Sequence, residues 1–500
     1  MRRLSLPALA LGLMATSAQA AVTAEDIWRG WQASLAAFGY EVTGTPQRSA
    51  GGIVIPDLGL TQDIPEGGRV EMRMGRIELA ERGDGSVSVI YPETMPVALA
   101  VAPKEGEPVT LIATLAQSGL EIIASGTPEA LRYVYSANEL SLTLGEMTID
   151  GAPQEELEGE IRLSSMAGTS AMQPEEAGRR LLHDFTSGRL SYALRFVLAE
   201  ESTGFDYAGS AESMTYDSRM HLPDDMVITQ MAAALDAGFE SEGRIRLGAG
   251  EGRYVFTEDG ETMRVTSRNA RSSLEFALSA EGVSYGGEAE QVQAEIALPG
   301  VPMPLAYEMA RMAGRLTMPL APSEAMRDFG LVVDLSEMKL SESFWALFDP
   351  AAALPRDPID LALDLSGKGR FTVDLFDPAM MARLEQSDQA PGEIARLDLN
   401  RMLLSAAGAR LTGAGGLDIG PAEKGMEIPP AEGAFDLRLE GGTALLERLV
   451  AMGIVSQEQA RMVEMMAGMF AHAVEGEDTL TSRVEVKKDG TLLVNGQKMR

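Results

Sequence analysis

Histidines are the first residues to weigh as catalysts or metal ligands, because imidazole serves both roles near neutral pH. The chain has three, His183, His221 and His472. No two of them stand at the H-x-x-x-H or H-E-x-x-H spacing that brings two ligands onto one face of a helix. His183 precedes Asp184, a dipeptide also found in metal-dependent phosphohydrolases, but no second histidine lies near it. The spacing favours surface or capping roles and predicts no metal site.

Carboxylate clusters are the next candidates, since oxygen ligands suit hard cations. Two short acidic runs are present: Glu475, Glu477 and Asp478 around Gly476, and Glu155, Glu156 and Glu158. Neither follows the twelve-residue pattern of a calcium loop. Because the chain has 74 Asp and Glu residues, such runs arise from abundance alone, and we interpret both as solvated loop acids.

Nucleophiles and phosphate-binding loops are also missing from the sequence pattern. The absence of cysteine excludes thiolate catalysis, disulfides and a lipidated cysteine anchor. Ser210 stands between Gly209 and Ala211, which is not a nucleophile elbow. The pair Gly51-Gly52 is not followed by Gly-Lys-Ser/Thr. We therefore expect a protein that is not an enzyme and that uses no cofactor and no metal.

A methionine-rich stretch is the one positive feature. Ser456 and Gln459 match the S-x-x-Q capping box that opens a helix. The apolar side of this helix supplies our candidate groove residues, Met462, Met465, Met466, Met469 and Phe470. Unbranched thioether side chains adapt to ligands of varied shape, but the same residues also suit plain core packing. In either case we expect the sheet to cover this helix on several sides.

Strands are predicted for most of the chain, because apolar and polar residues alternate in run after run, as in Arg69–Met74 and Leu140–Leu144. We predict an α+β fold that is predominantly β. It has one or two large curved antiparallel sheets, a few short helices, and a C-terminal helix pair with a closing hairpin. The first helix of the pair spans about Thr443 to Met452 and ends at Gly453.

Four other segments carry local predictions. Thr23 caps an N-terminal helix that ends at Gly39. The segment Pro174–Asp184 is predicted as a short helix, and Leu305–Met318 fits either a helix or a strand. Asp349-Pro350, repeated at Asp377-Pro378, predicts two helix starts.

The first twenty residues, 1–20, have the pattern of a secretory signal peptide: Arg2-Arg3, the apolar run Leu4–Met14, and Ala18-Gln19-Ala20 at the cleavage site. We expect the periplasm as the location. No later stretch reaches roughly 18 uninterrupted apolar residues, so we expect no transmembrane segment in the mature chain. We divide that chain into an N-terminal helix and antiparallel β region, 21–300, and a C-terminal β region with the helix pair and hairpin, 301–500.

The formal net charge of −32 excludes nucleic acid as a partner, because phosphate binding needs a basic surface. An acidic surface of this size favours solubility instead.

One part of the sequence resembles a known family. The residues concerned are Phe344-Trp345-Ala346-Leu347-Phe348-Asp349-Pro350, Leu354-Pro355-Arg356-Asp357-Pro358 and Leu363-Asp364-Leu365-Ser366-Gly367. They are similar to secreted alphaproteobacterial proteins of domain of unknown function 2125. The C-terminus, from Arg483 to Gly496, resembles another uncharacterised bacterial envelope family, and both are similar in architecture to AsmA-like proteins. The resemblance implies a β-rich envelope protein with an apolar groove and implies no catalytic residue.

Two non-enzymatic functions fit these observations. The favoured one binds or shields lipid, or another apolar ligand, in a β-sheet groove. The alternative is a structural or protein-interaction scaffold of the cell envelope. A carrier needs an apolar cavity of at least roughly 300 Å³ that opens to solvent, whereas a scaffold needs a filled core and an exposed apolar patch.

Overall fold

The computed structural model describes residues 21–63, 68–103, 106–153, 157–198, 203–224, 226, 231–374, 380, 383, 391–421 and 429–499. Within these residues the chain forms one antiparallel sheet of 32 strands, together with five helices. The predicted fold class is confirmed. The signal-peptide prediction for residues 1–20 lies outside the described residues.

The strands of the N-terminal half, in chain order, are β1 (Glu41–Thr43), β2 (Gln47–Ser49), β3 (Gly52–Ile55), β4 (Leu58–Asp63), β5 (Gly68–Met74), β6 (Ile77–Glu81), β7 (Val87–Ile90), β8 (Thr94–Pro103), β9 (Val109–Ser118), β10 (Glu121–Thr127), β11 (Ala130–Ile149), β12 (Ala152–Pro153), β13 (Leu157–Glu175), β14 (Gly178–Ser187), β15 (Leu190–Leu198), β16 (Thr203–Ala211) and β17 (Met214–Pro223). Those of the C-terminal half are β18 (Glu240–Leu247), β19 (Gly250–Glu258), β20 (Glu261–Asn269), β21 (Arg271–Ser279), β22 (Gly282–Ala297), β23 (Leu305–Met318), β24 (Arg327–Leu340), β25 (Ile359–Phe371), β26 (Gly392–Ala406), β27 (Ala409–Ile419), β28 (Ala431–Glu440), β29 (His472–Ala473), β30 (Thr479–Val486), β31 (Leu492–Val494) and β32 (Gln497–Lys498).

The helices are α1 (Ala24–Ala37), α2 (Met231–Asp236), α3 (Glu342–Trp345), α4 (Gly442–Ala451) and α5 (Gln457–Phe470). The predicted C-terminal helix pair is confirmed, including the capping box between Ser456 and Gln459. No helix in the described part of the chain combines the length and the apolar character that crossing a bilayer needs.

The sheet is an up-and-down meander of rungs, where a rung is one long strand or two strands in line. Strands β14 and β15 form one rung, and the next rung consists of β17, paired with β14, and β16, paired with β15. Strands β18 and β19, then β21 and β20, continue the same plan. Both halves meet again at the long strand β22, whose first part pairs with β21 and whose second part pairs with β20. Each rung therefore lies beside its neighbours in sequence.

A crease crosses many rungs near their midpoints. In the unbroken strands it is marked by residues with left-handed backbone: Ser165 in β13, Gln291 in β22 and Glu337 in β24 have φ values of 52°, 51° and 53°. In the rung of β14 and β15 it lies at Gly188, whose N–H donates to the carbonyl oxygen of Ser164 at 2.8 Å. Each of these positions adds one residue to the rung, as a β-bulge does.

The crease has a consequence for side-chain direction. Side chains alternate between the two faces of a strand, so one extra residue shifts the alternation by one position. Apolar residues in β11 accordingly follow steps of two on each side of the crease and a step of three across it: Tyr133, Tyr135, Ala137, then Leu140, Leu142, Leu144. The extra residue keeps the apolar side chains of both halves on one face.

Helices α1 and α2 cover one margin of that apolar face. Ile27 and Trp28 of α1 are buried against strands of the first rungs, and the indole N–H of Trp31 donates to the Tyr133 hydroxyl at 3.1 Å. Leu235 of α2 packs in a second cluster with Leu181, Met220 and Leu278. The remaining expanse of the face has no comparable helical cover among the described residues.

Two local helix predictions are wrong. The segment Pro174–Asp184 is the end of β13, a turn and the start of β14, because its residues pair across the strands from Pro174 with Arg179 to Ala167 with Thr186. The chain makes turns after Asp349-Pro350 and no helix begins there; α3 precedes them.

The N-terminal helix is confirmed as α1, with Thr23 as its cap, and two further local predictions have other outcomes. The segment Leu305–Met318, which fitted helix or strand, is strand β23. The second Asp-Pro pair, Asp377-Pro378, lies outside the described residues. The division at residue 300 stays a prediction; strands β22 and β23 on its two sides are paired.

Candidate functional site

Rows of apolar side chains run from strand to strand on one face of the sheet. Residues paired across neighbouring strands point to the same face. One row follows the pairs Phe276, Tyr285, Leu316, Leu331, Leu365 and Leu399. A second row, two residues away, follows Phe185, Tyr216, Ile245 and Leu274, then reaches Val333, Leu363 and Met402 through Gly287 and Gly314. An apolar surface thus extends across the sheet from β14 to β26.

The burial of these residues changes with distance from the crease. Several side chains next to it are at most 9% exposed: Ala137, Met166, Ala211, Val292 and Met309. Several side chains farther out on either side are 37–56% exposed: Phe205, Tyr254, Phe256, Leu274, Tyr285, Leu316 and Leu331. We call this surface the trough: its floor follows the crease, and the two halves of the rungs form its walls.

The wall built by β18, β21, β22, β23 and β24 is aliphatic and holds a cavity of about 520 Å³. Its lining includes Ile245, Leu274, Leu316, Leu331 and Val333. Glycines create the depth, because a Cβ atom on Gly287 would lie 2.8 Å from Cδ2 of Leu274. The Leu274 side chain lies flat over the glycine, and a larger residue there would displace it.

The opposite wall is aromatic. Tyr207 stacks on Tyr254 with ring centroids 4.3 Å apart, and it lies 4.9 Å from the ring of Tyr192. The Tyr207 hydroxyl donates to the Tyr192 hydroxyl at 2.8 Å. Burial, aided by the hydrogen bond with Tyr192, raises the pKa of Tyr207 far above its ordinary value. The phenol therefore stays neutral, which suits an apolar surface.

The other face of the sheet is charged. Glu275 lies between two guanidinium groups, with Arg315 at 2.7 Å and Arg244 at 2.5 Å. The hydrogen bond from Arg315, with the attraction of Arg244, holds the pKa of the Glu275 carboxyl below its usual range. Arg246 pairs with Asp217 in the same way, at 2.7 Å. The two faces are thus chemically distinct along the same strands.

A larger cavity, of about 1010 Å³, lies across this charged face. Side chains of both signs line it, including Arg253, Glu251, Lys339 and Glu308. Lys339 and Glu308 already pair with each other at 3.3 Å. Volume alone would favour this cavity, but its charged lining does not suit an apolar ligand, so the trough is the better candidate site.

The predicted groove residues occupy a different place from the trough cavity. Met462, Met465, Met466, Met469 and Phe470 lie on the surface of α5 and are 38–63% exposed. The expectation that sheet covers this helix on several sides is wrong. The physical reason is that the rest of the protein covers so little of α5 that Ala460 is its one buried residue. Whether these five residues border a groove stays a prediction.

The three histidines lie on separate elements. His183 is half-buried in β14, where burial lowers its pKa against the opposing effect of Asp184. His221 Nδ1 lies 2.7 Å from a carboxylate oxygen of Glu175. His472 is exposed in β29, two residues after the end of α5. Across the described ranges, no three His, Asp or Glu side chains come close enough to share a metal ion.

Of the acidic runs, one has a structural role. Asp478 accepts hydrogen bonds from the backbone N–H groups of Thr443 at 3.1 Å and Ala444 at 3.0 Å, and so caps α4. In the other run, Glu155 and Glu156 lie outside the described residues.

The motif that carried the family resemblance forms a packed corner. Trp345 is buried, and the Arg356 guanidinium lies 4.4 Å above its ring. The buried Asp349 carboxylate accepts from the backbone N–H groups of Ala353 and Leu354 at 2.8 and 2.9 Å. Burial raises the pKa of Asp349, but these two donors together with Arg356 outweigh it and the net pKa is lowered. The motif therefore stabilises a turn.

Sequence reasoning missed the trough residues, although a signal for them exists. Alternation within single strands was recognised, but the three-residue step that recurs in rung after rung was not used. Aligning the rungs on that step would have placed Ile245, Leu274 and Leu316 on one face.

Comparison with known proteins adds one match. The model of a family described as an uncharacterized protein conserved in bacteria (DUF2125) matches residues 243–498, just over half of the chain. The matched segment begins in β18 and includes the aliphatic wall of the trough. No curated protein matches the chain.

Proposed function

Because the chain belongs to the DUF2125 family, whose description assigns no activity, we propose a function from the geometry: the protein is a non-enzymatic carrier that binds the acyl chains of a lipid in the trough. The observation that carries this proposal is the aliphatic cavity of about 520 Å³ in an uncovered apolar face. This volume exceeds the roughly 300 Å³ at which ligand pockets begin.

The shape of the cavity supports a long, flexible ligand. Its lining comes from five neighbouring strands, and strands lie about 4.8 Å apart, so it extends roughly 19 Å across the sheet. An acyl chain lying across the strands would contact Leu274, Tyr285 and Leu316 in turn. No hydrogen bond is needed for it, because the surface that this cavity exposes is almost all apolar.

The carrier would act in the periplasm. We propose that the protein is exported there, because residues Met1–Ala20 have the pattern of a signal peptide and because the sequence resembles envelope proteins of AsmA-like architecture. The test is N-terminal sequencing of the protein released from the periplasm, which should begin at Ala21. Recovery in the inner membrane with Arg2 retained would contradict this location.

Native mass spectrometry of protein purified from its own cells, with lipid extraction, tests the ligand. The wild type should carry lipid, and Leu274→Glu or Leu316→Glu should lose most of it, because a carboxylate in the apolar wall costs more than lipid contacts return. The matched control is Thr317→Glu, at the position after Leu316, whose side chain points to the charged face. It should keep its lipid.

Two results would contradict the carrier. One is lipid-free wild-type protein under these conditions, which would favour the envelope scaffold instead. The other is turnover of a substrate that a single Asp, Glu, Ser or His substitution abolishes, since that would make the protein an enzyme.

A further inference from the structure

Helix α5 exposes more apolar surface than any other helix in the described residues. Met462, Met466 and Met469 follow the i, i+4, i+7 spacing of one helix face, and Val463, Met465 and Phe470 flank them. Each of the six is 38–63% exposed. Such a contiguous apolar patch on an otherwise acidic protein indicates a surface that something covers.

The attachment of α5 leaves this patch facing away from the protein. The buried contact is made through Ala460. At the C-terminal end, the Phe470 carbonyl oxygen accepts from the Ser482 hydroxyl at 2.6 Å and from the Asn495 amide at 3.1 Å. Ser482 pairs with Leu437 across β28 and β30, and Leu437 continues the apolar row through Met402 and Gly413. The C-terminal end of α5 therefore lies where the apolar face of the sheet ends.

The charges around the patch limit what can cover it. The polar side of α5 has Gln457, Arg461 and Glu464 at helical spacing, so it has a single basic residue. Interfacial helices that bind anionic lipid use a polar face rich in Lys and Arg. This helix has none of that attraction, and the whole chain has a charge of −32. The partner must be an apolar layer beneath headgroups without net negative charge.

A second copy of the chain fits the patch less well. A 14-residue helix is about 21 Å long, and two such helices crossing would bury less than the roughly 1,000 Å² of a stable interface. Dimerisation would also bring two strongly acidic proteins together.

We propose that α5 is a membrane-surface helix, which inserts its methionine face into the outer layer of a zwitterionic or neutral bilayer and holds the end of the trough against it. Methionine suits this position because its flexible thioether packs among acyl chains of any conformation. The link to lipid transfer rests on the proposed carrier function, whereas bilayer binding itself does not.

Vesicle flotation tests the proposal with the full-length mature protein and phosphatidylcholine vesicles. The wild type should float with the vesicles, and Met466→Glu should reduce the bound fraction at least tenfold. Gln457→Glu, which adds the same charge on the polar side of the helix, should float like the wild type. Added phosphatidylglycerol should weaken binding at low salt, and salt should restore it, because the acidic protein is repelled by an anionic surface.

Separate measurements distinguish the two proposals. A fluorescent fatty acid in solution should bind wild type and Met466→Glu equally, which also shows that the variant is folded, and should not bind Leu274→Glu. Leu274→Glu should still float. If the wild type floats with the vesicles but does not bind the fatty acid, the carrier function is wrong and the proposal of a membrane-surface helix is unaffected.

Three outcomes would overturn the membrane helix. They are a wild type that does not float, flotation of Met466→Glu and Met465→Glu at the wild-type level, and a wild-type dimer in light scattering that Met466→Glu converts to a monomer. The last would assign the patch to a second copy.

Discussion

Asp478 stabilises a helix to which it does not belong. The residue before α4 is Gly441, which has no side chain for capping, and the Asp478 carboxylate binds the backbone N–H groups of Thr443 and Ala444 in its place. Substitution Asp478→Ala should lower the free energy of unfolding by about 1 kcal/mol, the usual effect of losing an N-cap. Urea denaturation measures it.

The pH dependence of this contact has a definite sign. The N–H donor of Ala444, followed by Thr443, lowers the pKa of Asp478. The stabilisation is therefore fully present above the unfolded-state value of about 3.9 and is lost as the pH falls through the lower native pKa. Glu477→Ala is the control, since Glu477 is exposed and lies 3.8 Å from Arg438, and it should change stability by less than about 0.5 kcal/mol. Equal effects of the two substitutions would disprove the cap.

Sequence patterns identify contacts between individual residues only when the two residues are close in the chain. The box of Ser456 and Gln459 was predicted correctly because its residues are three apart. Asp478 and α4 are 34 and 35 residues apart at their contacts, and nothing in the sequence links them. Asp349 was predicted to begin a helix, but its carboxylate instead contacts Leu354 and Arg356 in a turn.

At the scale of elements, the one extra residue that a rung has at the crease determines which face its side chains point to. Deletion of Gln291 from β22 should shift Val292, Ala294 and Ile296 to the charged face, because the alternation of the second half moves by one position. Val292 and Ala294 are now buried, so we expect severe destabilisation, of several kcal/mol. Soluble yield and thermal unfolding measure it.

Deletion of Met303 is the matched control, because this residue is 63% exposed in the loop between β22 and β23. A loop deletion changes no alternation and should lower stability much less. If the two deletions had the same effect, the crease would have no role in keeping the apolar residues on one face.

The elements that were mispredicted show what local patterns lack. Pro174–Asp184 has residues that a helix accepts, but Leu181 and His183 gain cross-strand partners on both sides, and pairing outweighs local preference. The composition of α5 predicted burial, yet burial depends on whether another element reaches the helix. The composition of a helix does not show whether another element packs against it.

For the whole molecule, net charge opposes folding. Compacting a chain with a charge of −32 brings like charges together, and the ion pairs of the charged face offset this only locally. Raising NaCl from about 10 mM to about 100 mM shortens the screening length from roughly 30 Å to roughly 10 Å. The melting temperature should therefore rise by a few degrees. A fall would mean that the ion pairs outweigh the repulsion.

The global architecture was predictable in part. Alternating runs bounded by turn residues predicted an antiparallel β protein with few helices. The choice between one sheet and two depended on pairing between distant rungs, and the walls of the trough depended on where the crease lies in each. Both are properties of many strands together.

The order of the rungs affects how the protein folds and how its sheet could lengthen by duplication. Since a rung pairs with the rungs next to it in sequence, the chain can fold progressively from one rung to the next. Each completed rung presents a free edge on which the next one adds, as in repeat proteins. The length of the apolar face is then set by the number of hairpins, and duplication of one hairpin would extend it without altering the contacts already made.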